Sequence, residues 1–172
     1  MQLKDTQDAL NAFGKYVVQQ SRSKLTQSNK NVSKRLYESL GYDLKVMPNS
    51  FSMAFLMENY GEYQDKGVSG TEVKYNTPYK YTNKMPPPSA FSQWVVRKGL
   101  KGTRDASGRF VNRKGLQFAI AKSIFKKGIK PSLFFTKPFE EAFKNLPNDI
   151  VEAYGLDVEN FLKTTINNKA TR

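Results

Sequence analysis

The sequence predicts an α+β fold in one domain over residues 1–172: a small antiparallel β-sheet packed against a long N-terminal helix and C-terminal helices, with long extended loops. Three observations predict it. Apolar residues recur at helical spacing over residues 3–40, the period changes from 3.6 to 2 over residues 42–57, and helical spacing returns at 113–127 and again from Lys137 onward.

The helical face at the start carries Leu3, Leu10, Phe13 and Val17, then Val32, Leu36 and Leu40. Residues 21–30 between them are almost wholly polar, so either the helix breaks there or one long helix leaves part of its length in water. Gly41 supplies a stop. Tyr42, Leu44 and Val46 then share one strand face, and Phe51, Met53, Phe55 and Met57 share the next, with Pro48-Asn49-Ser50 turning between them. This reads as a hairpin with one face against a helix, although Leu56 breaks the alternation.

Prolines and small polar residues interrupt every apolar pattern from 69 to 90 (SGTEVKYNTPYKYTNKMPPPSA), which therefore reads as a long loop or arm. A short helix over 89–99, around Phe91, Trp94 and Val95, is followed by a second polar loop at 100–112. Loops this long are uncommon in compact domains unless they are functional or disordered. The next helix, 113–127, carries Leu116, Ala119, Ile120 and Ile124, and GIKPSLFF at 128–135 turns at Pro131 into a short apolar strand. Phe139, Ala142, Phe143 and Leu146 predict another helix. After Pro147 the run Ile150, Val151, Tyr154, Leu156, Val158, Phe161 and Leu162 predicts a last one, broken near Gly155, with residues 164–172 a fraying tail.

The chain contains no cysteine and no histidine. Disulfides, thiolate metal sites, cysteine nucleophiles and Ser-His-Asp arrangements are thereby excluded, and catalytic, metal-ligating and cofactor-binding residues are all expected to be absent. The start, MQLKDTQDAL, lacks the basic head and apolar stretch of a secretory signal, and no window approaches the roughly 20 apolar residues that cross a bilayer. A soluble protein without a membrane partner is expected.

Within YGEYQDKG (60–67), Glu62 and Asp65 are spaced to share a helical turn, which suits a paired-carboxylate mechanism. Lys66 beside Asp65 keeps that carboxylate ionised, however, and no nucleophile or metal is supplied elsewhere. Two readings of the segment stay open: a turn whose tyrosines pack on the sheet end, or a contact surface of Tyr60, Glu62, Tyr63, Asp65 and Lys66. Tyr75, Tyr79 and Tyr81 alternate with Lys74, Lys80 and Lys84 ahead of Pro86 and Pro87. That composition suits base stacking beside phosphates, or an arm that grips a neighbouring subunit.

Charge is segregated. The net charge is +13, and residues 97–130 hold Arg97, Lys98, Lys101, Arg104, Arg109, Arg113, Lys114, Lys122, Lys126, Lys127 and Lys130 against the single acid Asp105. Such a stretch follows a phosphate backbone, meets an acidic partner or simply faces water. From 138 to 160 the sign reverses, with six acids against Lys144. Oppositely charged segments pair within one chain or dock copies head to tail. The glycines of GLKGTRDASG lack the spacing of a phosphate-binding loop.

The strings MENYGEYQDKGVSGT (57–71), MPPPSAFSQWVVRKGL (85–100), GRF (108–110) and GIKPSLFF (128–135), set around a tyrosine-rich arm and a basic helix, resemble the neck or tail-completion (head–tail connector) proteins of tailed bacteriophages. The resemblance covers residues 36–145. It implies an α+β subunit of a homo-oligomeric ring, six- or twelvefold, that stacks with the portal and other neck and tail proteins. DNA passes through such a ring, and the protein would be found in the virion and in the host cytoplasm during assembly. On that reading the loops at 69–90 and 100–112 are arms that order against neighbours. The alternative from charge alone is a non-enzymatic nucleic-acid-binding protein acting as monomer or dimer.

Overall fold

The structure, a computed structural model, describes residues 3–30, 32–47, 50–104, 106–108 and 110–170. In chain order its elements are α1 (Lys4–Gln27), α2 (Arg35–Ser39), β1 (Gly41–Met47), β2 (Ser50–Leu56), α3 (Gly61–Lys66), a 3-10 turn (Pro88–Phe91), α4 (Ser92–Arg97), β3 (Thr103–Arg104), β4 (Phe110–Val111), α5 (Arg113–Lys127), α6 (Thr136–Phe143) and α7 (Leu146–Ala170). The fold is α+β with a long N-terminal helix, as the sequence predicts. Contacts gather the chain into two units, one of Met1–Lys24, Leu40–Met57 and Phe134–Arg172, the other of Leu25–Ser39 and Glu58–Leu133.

In the first unit, β1 and β2 pair antiparallel in the register Tyr42↔Phe55, Leu44↔Met53 and Val46↔Phe51. The period of 2 puts Leu44, Phe51, Met53 and Phe55 on one face, and they pack on Leu10, Phe13 and Val17 of α1 and on Leu146. Leu56 continues the alternation outward and is exposed. Aromatic rings fill the space: Phe13 meets Phe55 and Phe139 edge-on at 6.0 and 5.7 Å, and Phe55 meets Phe135 at 5.3 Å. Such pairs add about 0.5–1.5 kcal/mol each beyond area burial. Gly14 lets Tyr42 lie directly on α1, since a Cβ there would meet the ring carbons at 2.7–2.9 Å. The Tyr42 hydroxyl donates to Asn11 Oδ1 at 3.1 Å.

The first amides of α1 have no side-chain cap of their own, because Leu3 precedes the helix. Asp157 of α7 supplies it. Its carboxylate accepts from the Asp5 amide (3.0 Å), the Thr6 amide (2.9 Å) and the Thr6 hydroxyl (2.8 Å). Asp157 is 3% exposed. Burial works to raise its pKa, but these hydrogen bonds outweigh burial and hold it below the ordinary carboxylate value. The helix α7 crosses Gly155 without the predicted break and continues through Ala170. A mid-helix glycine costs about 1 kcal/mol, and the burial of Ala153 and the hydrogen bonds of Asp157 on either side offset it.

In the second unit, the question left open at residues 21–30 is settled by Asn29. The helix stops at Gln27; the Lys30 amide donates to the Leu25 carbonyl (3.1 Å) and the Asn29 amide to that of Thr26 (3.1 Å), with Asn29 at φ 52. This is a Schellman ending with asparagine in the left-handed position. Asn112 caps α5 by accepting from the Gly115 amide at 2.9 Å. The loop at 100–112, predicted as irregular, contains a small ladder pairing Thr103↔Val111 and Arg104↔Phe110.

Two further expectations are corrected here. GIKPSLFF makes no strand: only Ile129 bridges to Val68, Pro131 has no amide to donate, and the Ser132 and Leu133 amides both go to the Asp65 carbonyl. Nor do residues 69–81 wait for a neighbour. The Thr71 amide donates to the Phe125 carbonyl and the Glu72 and Val73 amides to that of Lys126, which lays this stretch on the end of α5. Gly70 and Gly128 make the close crossing possible, since a Cβ on either would overlap the backbone of the facing segment.

Candidate functional site

The helix α3 is built from YGEYQDKG itself. The Gly61 amide donates to the Glu58 carbonyl at 2.7 Å, the Gln64 amide to that of Tyr60 at 3.1 Å, and Gly67, at φ 76, ends the helix. Asp65 is buried, and its carbonyl receives two amides from the GIKPSLFF segment at 3.0 Å each. The Ser132 hydroxyl donates to the Gln64 carbonyl. Two motifs 60 and more residues apart in sequence therefore hold each other in place.

Glu62 and Lys66, one turn apart, form an ion pair at 2.8 Å. The hydrogen bond from Lys66, and then that from Tyr79, hold the Glu62 carboxyl below its usual pKa; the same bond to Glu62 raises the Tyr79 hydroxyl. The Tyr79 ring meets Tyr63 edge-on at 4.6 Å. Tyr81 packs near Phe125 at 6.1 Å, and burial raises its pKa.

Together these residues wall a groove of about 640 Å³, lined chiefly by Tyr60, Tyr63, Pro78, Tyr79, Tyr81 and Ile129. Of the predicted contact residues, the fold thus gathers Tyr60, Tyr63, Tyr79 and Tyr81 at the groove, with Glu62 and Lys66 hydrogen-bonded beside it. Asp65 is turned inward. Tyr75 lies outside the lining, where its backbone exchanges hydrogen bonds with the buried Ser69 hydroxyl (3.0 and 3.1 Å). Pro86 is half-buried and Pro87 exposed.

The basic residues do not form one field. Arg97 and Arg113 line a cleft of about 450 Å³ with Ser92, Gln93 and Val96 at the start of α5, and no acidic side chain is among its described lining. Lys114 is exposed beside them, and Lys98, Lys101 and Arg104 are exposed in the preceding loop, Arg104 donating to the Gly108 carbonyl at 2.8 Å. Lys126 is paired with Glu72 at the far end of α5, near the exposed Lys127 and Lys130. A helix of 15 residues separates the two groups by roughly 20 Å. Arg109 lies outside the described residues.

Three features have little or no signature in sequence: the Asp157 cap, the convergence of Arg97 with Arg113, and the outward stripe of α7. The stripe comprises Val151, Tyr154, Phe161 and Leu162, all exposed, with the half-buried Val158 between them. Its spacing is visible in the sequence as an amphipathic helix, and the only available expectation is that such a face turns inward. Among the described residues no cluster of three His, Cys, Asp or Glu side chains is placed to hold a metal, and no helix is long and apolar enough to cross a membrane.

Comparison of the chain with protein-family models, with curated proteins and with solved structures returns no match.

Proposed function

We propose that this protein is a non-enzymatic virion structural protein that assembles into a ring at the head–tail junction of a tailed bacteriophage, a neck or tail-completion protein through which DNA passes. The observation that carries this reading is the α7 stripe. Val151 is 73% exposed, and Tyr154 and Leu162 lie on the same side of the helix and are also exposed. Large apolar side chains exposed on one side of a helix are a liability for a monomer and a contact for a multimer. The tyrosine groove adds a second adhesive surface, and the motif resemblance supplies the setting.

The partners would be further copies in a six- or twelvefold ring, together with the portal and other neck and tail proteins. The chain would reside in the virion, and in the host cytoplasm before assembly. Each subunit should bury more than the roughly 1,600 Å² of a standard interface. Light scattering at high concentration, with micrographs of assembled particles, tests this: rings or particle-bound copies are expected, and a free monomer by both methods ends the reading.

The Arg97–Arg113 cleft favours a second reading, a nucleic-acid-binding protein acting as monomer or dimer. Two arginines lining one cleft suit phosphate oxygens. In that case duplex DNA binds the dilute protein with an affinity that falls steeply with salt, and replacing both arginines by alanine lowers the log–log slope by about 2.

A further inference from the structure

We propose that the outward face of α7 in one copy of this chain docks into the Arg97–Arg113 cleft of the next copy. The inference rests on the subunit-contact reading above and names the surface that the α7 stripe meets.

Each of the two surfaces combines exposed apolar side chains with charge of one sign, and the signs are opposite. On α7, Val151, Tyr154 and Leu162 recur at helical spacing and are exposed, while Ala153 and Asp157 on the other side are buried. Glu152, exposed, flanks this stripe, and its side chain enters no ion pair among the described residues. Exposed acids elsewhere, such as Glu62 and Glu72, are held by lysines. The whole stretch 138–160 carries six acids against Lys144.

The cleft, about 450 Å³, has the reverse character. Val96 is 55% exposed in it, Arg97 and Arg113 line it, and neither arginine has a side-chain partner among the described residues. Lys98, Lys101 and Lys114 are exposed close by in sequence and keep the region positive. A phosphate backbone would satisfy the arginines and leave Val96 without an apolar neighbour, whereas α7 supplies both a carboxylate and apolar side chains. Tyrosine and arginine are also the side chains that most often anchor protein interfaces. Opposite charge at the edge of such a contact fixes its register. The two surfaces belong to different units of the chain and both are open to water, so each copy gives one and receives the other. That is a head-to-tail contact, which closes a ring when its rotation permits.

Charge exchange on the full chain tests the assignment. Glu152→Arg, and separately Arg97→Glu with Arg113→Glu, should each weaken self-association in light scattering by about tenfold or more, because like charges then meet. Mixing the two variants should restore assembly, since the α7 of each then faces a cleft of opposite sign on the other; pairing within one chain gains nothing from mixing. Independently, Gly155→Cys and Gln93→Cys copies of the cysteine-free chain are mixed and oxidised. A Cβ at Gly155 meets no other part of the subunit within 4 Å, and the mixed disulfide dimer should exceed that from either variant alone by about tenfold. Oligomers that survive both charge changes with no excess of mixed dimer overturn this contact and leave the ring intact, and so does loss in both variants without rescue on mixing. A wild-type monomer at every concentration removes the ring, and the mixed dimer then decides the contact: an excess supports it, none overturns it. Duplex DNA that binds the dilute wild type but not the Arg97→Glu, Arg113→Glu variant, with assembly unchanged, gives the cleft to nucleic acid and overturns the proposal.

Discussion

In the first unit a buried cluster of Leu10, Phe13, Val17 and Leu146 gathers the hairpin face and the rings of Phe135 and Phe139 around it, whereas in the second the segment next to the candidate site is tied down by backbone. From Val68 to Val73, amides and carbonyls bond to residues 125–129, and two glycines bring the segments within reach. The consequence is functional. Side chains used for packing turn inward, as Phe13 does, while α3, held through the Gln64 and Asp65 carbonyls by Ser132 and Leu133, keeps Tyr60 and Tyr63 partly exposed. An adhesive surface is more readily carried by the second kind of construction.

The sharpest way to break this contrast is Gly128→Ala. At φ 73 and ψ −166 the residue occupies a region open essentially to glycine alone, and the added methyl overlaps the Val68 carbonyl. A loss of about 3 kcal/mol or more is expected in chemical denaturation, together with lost hydrogen-exchange protection at Thr71 and Glu72. Unchanged protection there would mean that the backbone crossing is not what holds the loop.

Asp157→Asn probes the first unit. It replaces a charged acceptor of three hydrogen bonds by an amide that cannot satisfy them all, at an expected cost of about 2 kcal/mol. The pH dependence has a definite sign. The folded-state pKa is depressed, so the carboxylate's contribution is complete above its unfolded value of about 4 and is lost as pH falls through the folded value. The stability gap between wild type and Asp157→Asn should be constant from neutral pH to about 5 and narrow below about 4. Urea melts across this range check it, and a gap that widens on acidification contradicts the cap.

The smallest effect is expected for Glu72→Gln. Its pair with Lys126 is solvent-exposed on both sides, so removal should cost less than about 1 kcal/mol and less still in salt. A larger loss would show that charge, rather than main-chain bonding, fastens residues 69–81.

Much of the framework is legible in the residues themselves. The hairpin follows from the alternation Phe51, Met53, Phe55 opposite Leu44, and α5 from the helical spacing of Leu116, Ala119, Ile120 and Ile124. The candidate site is half legible. YGEYQDKG marks a crowded corner, but nothing in the string says that Tyr79 will stand against Tyr63 or that Asp65 will turn inward. The predicted strand at 128–135 failed for a related reason: apolar composition suggested it, and the bonding needs of Ser132, Leu133 and the Asp65 carbonyl decided otherwise.

Local pattern alone therefore sets the period of each element, many of its ends and the segregation of charge, since these depend on side chains within a turn or two of each other. Tertiary structure alone brought Asp157 to the start of α1, Arg97 and Arg113 to one cleft and residues 69–73 onto the end of α5. The first and last of these are chosen by which polar groups find partners at long range, a condition that no short window of sequence contains.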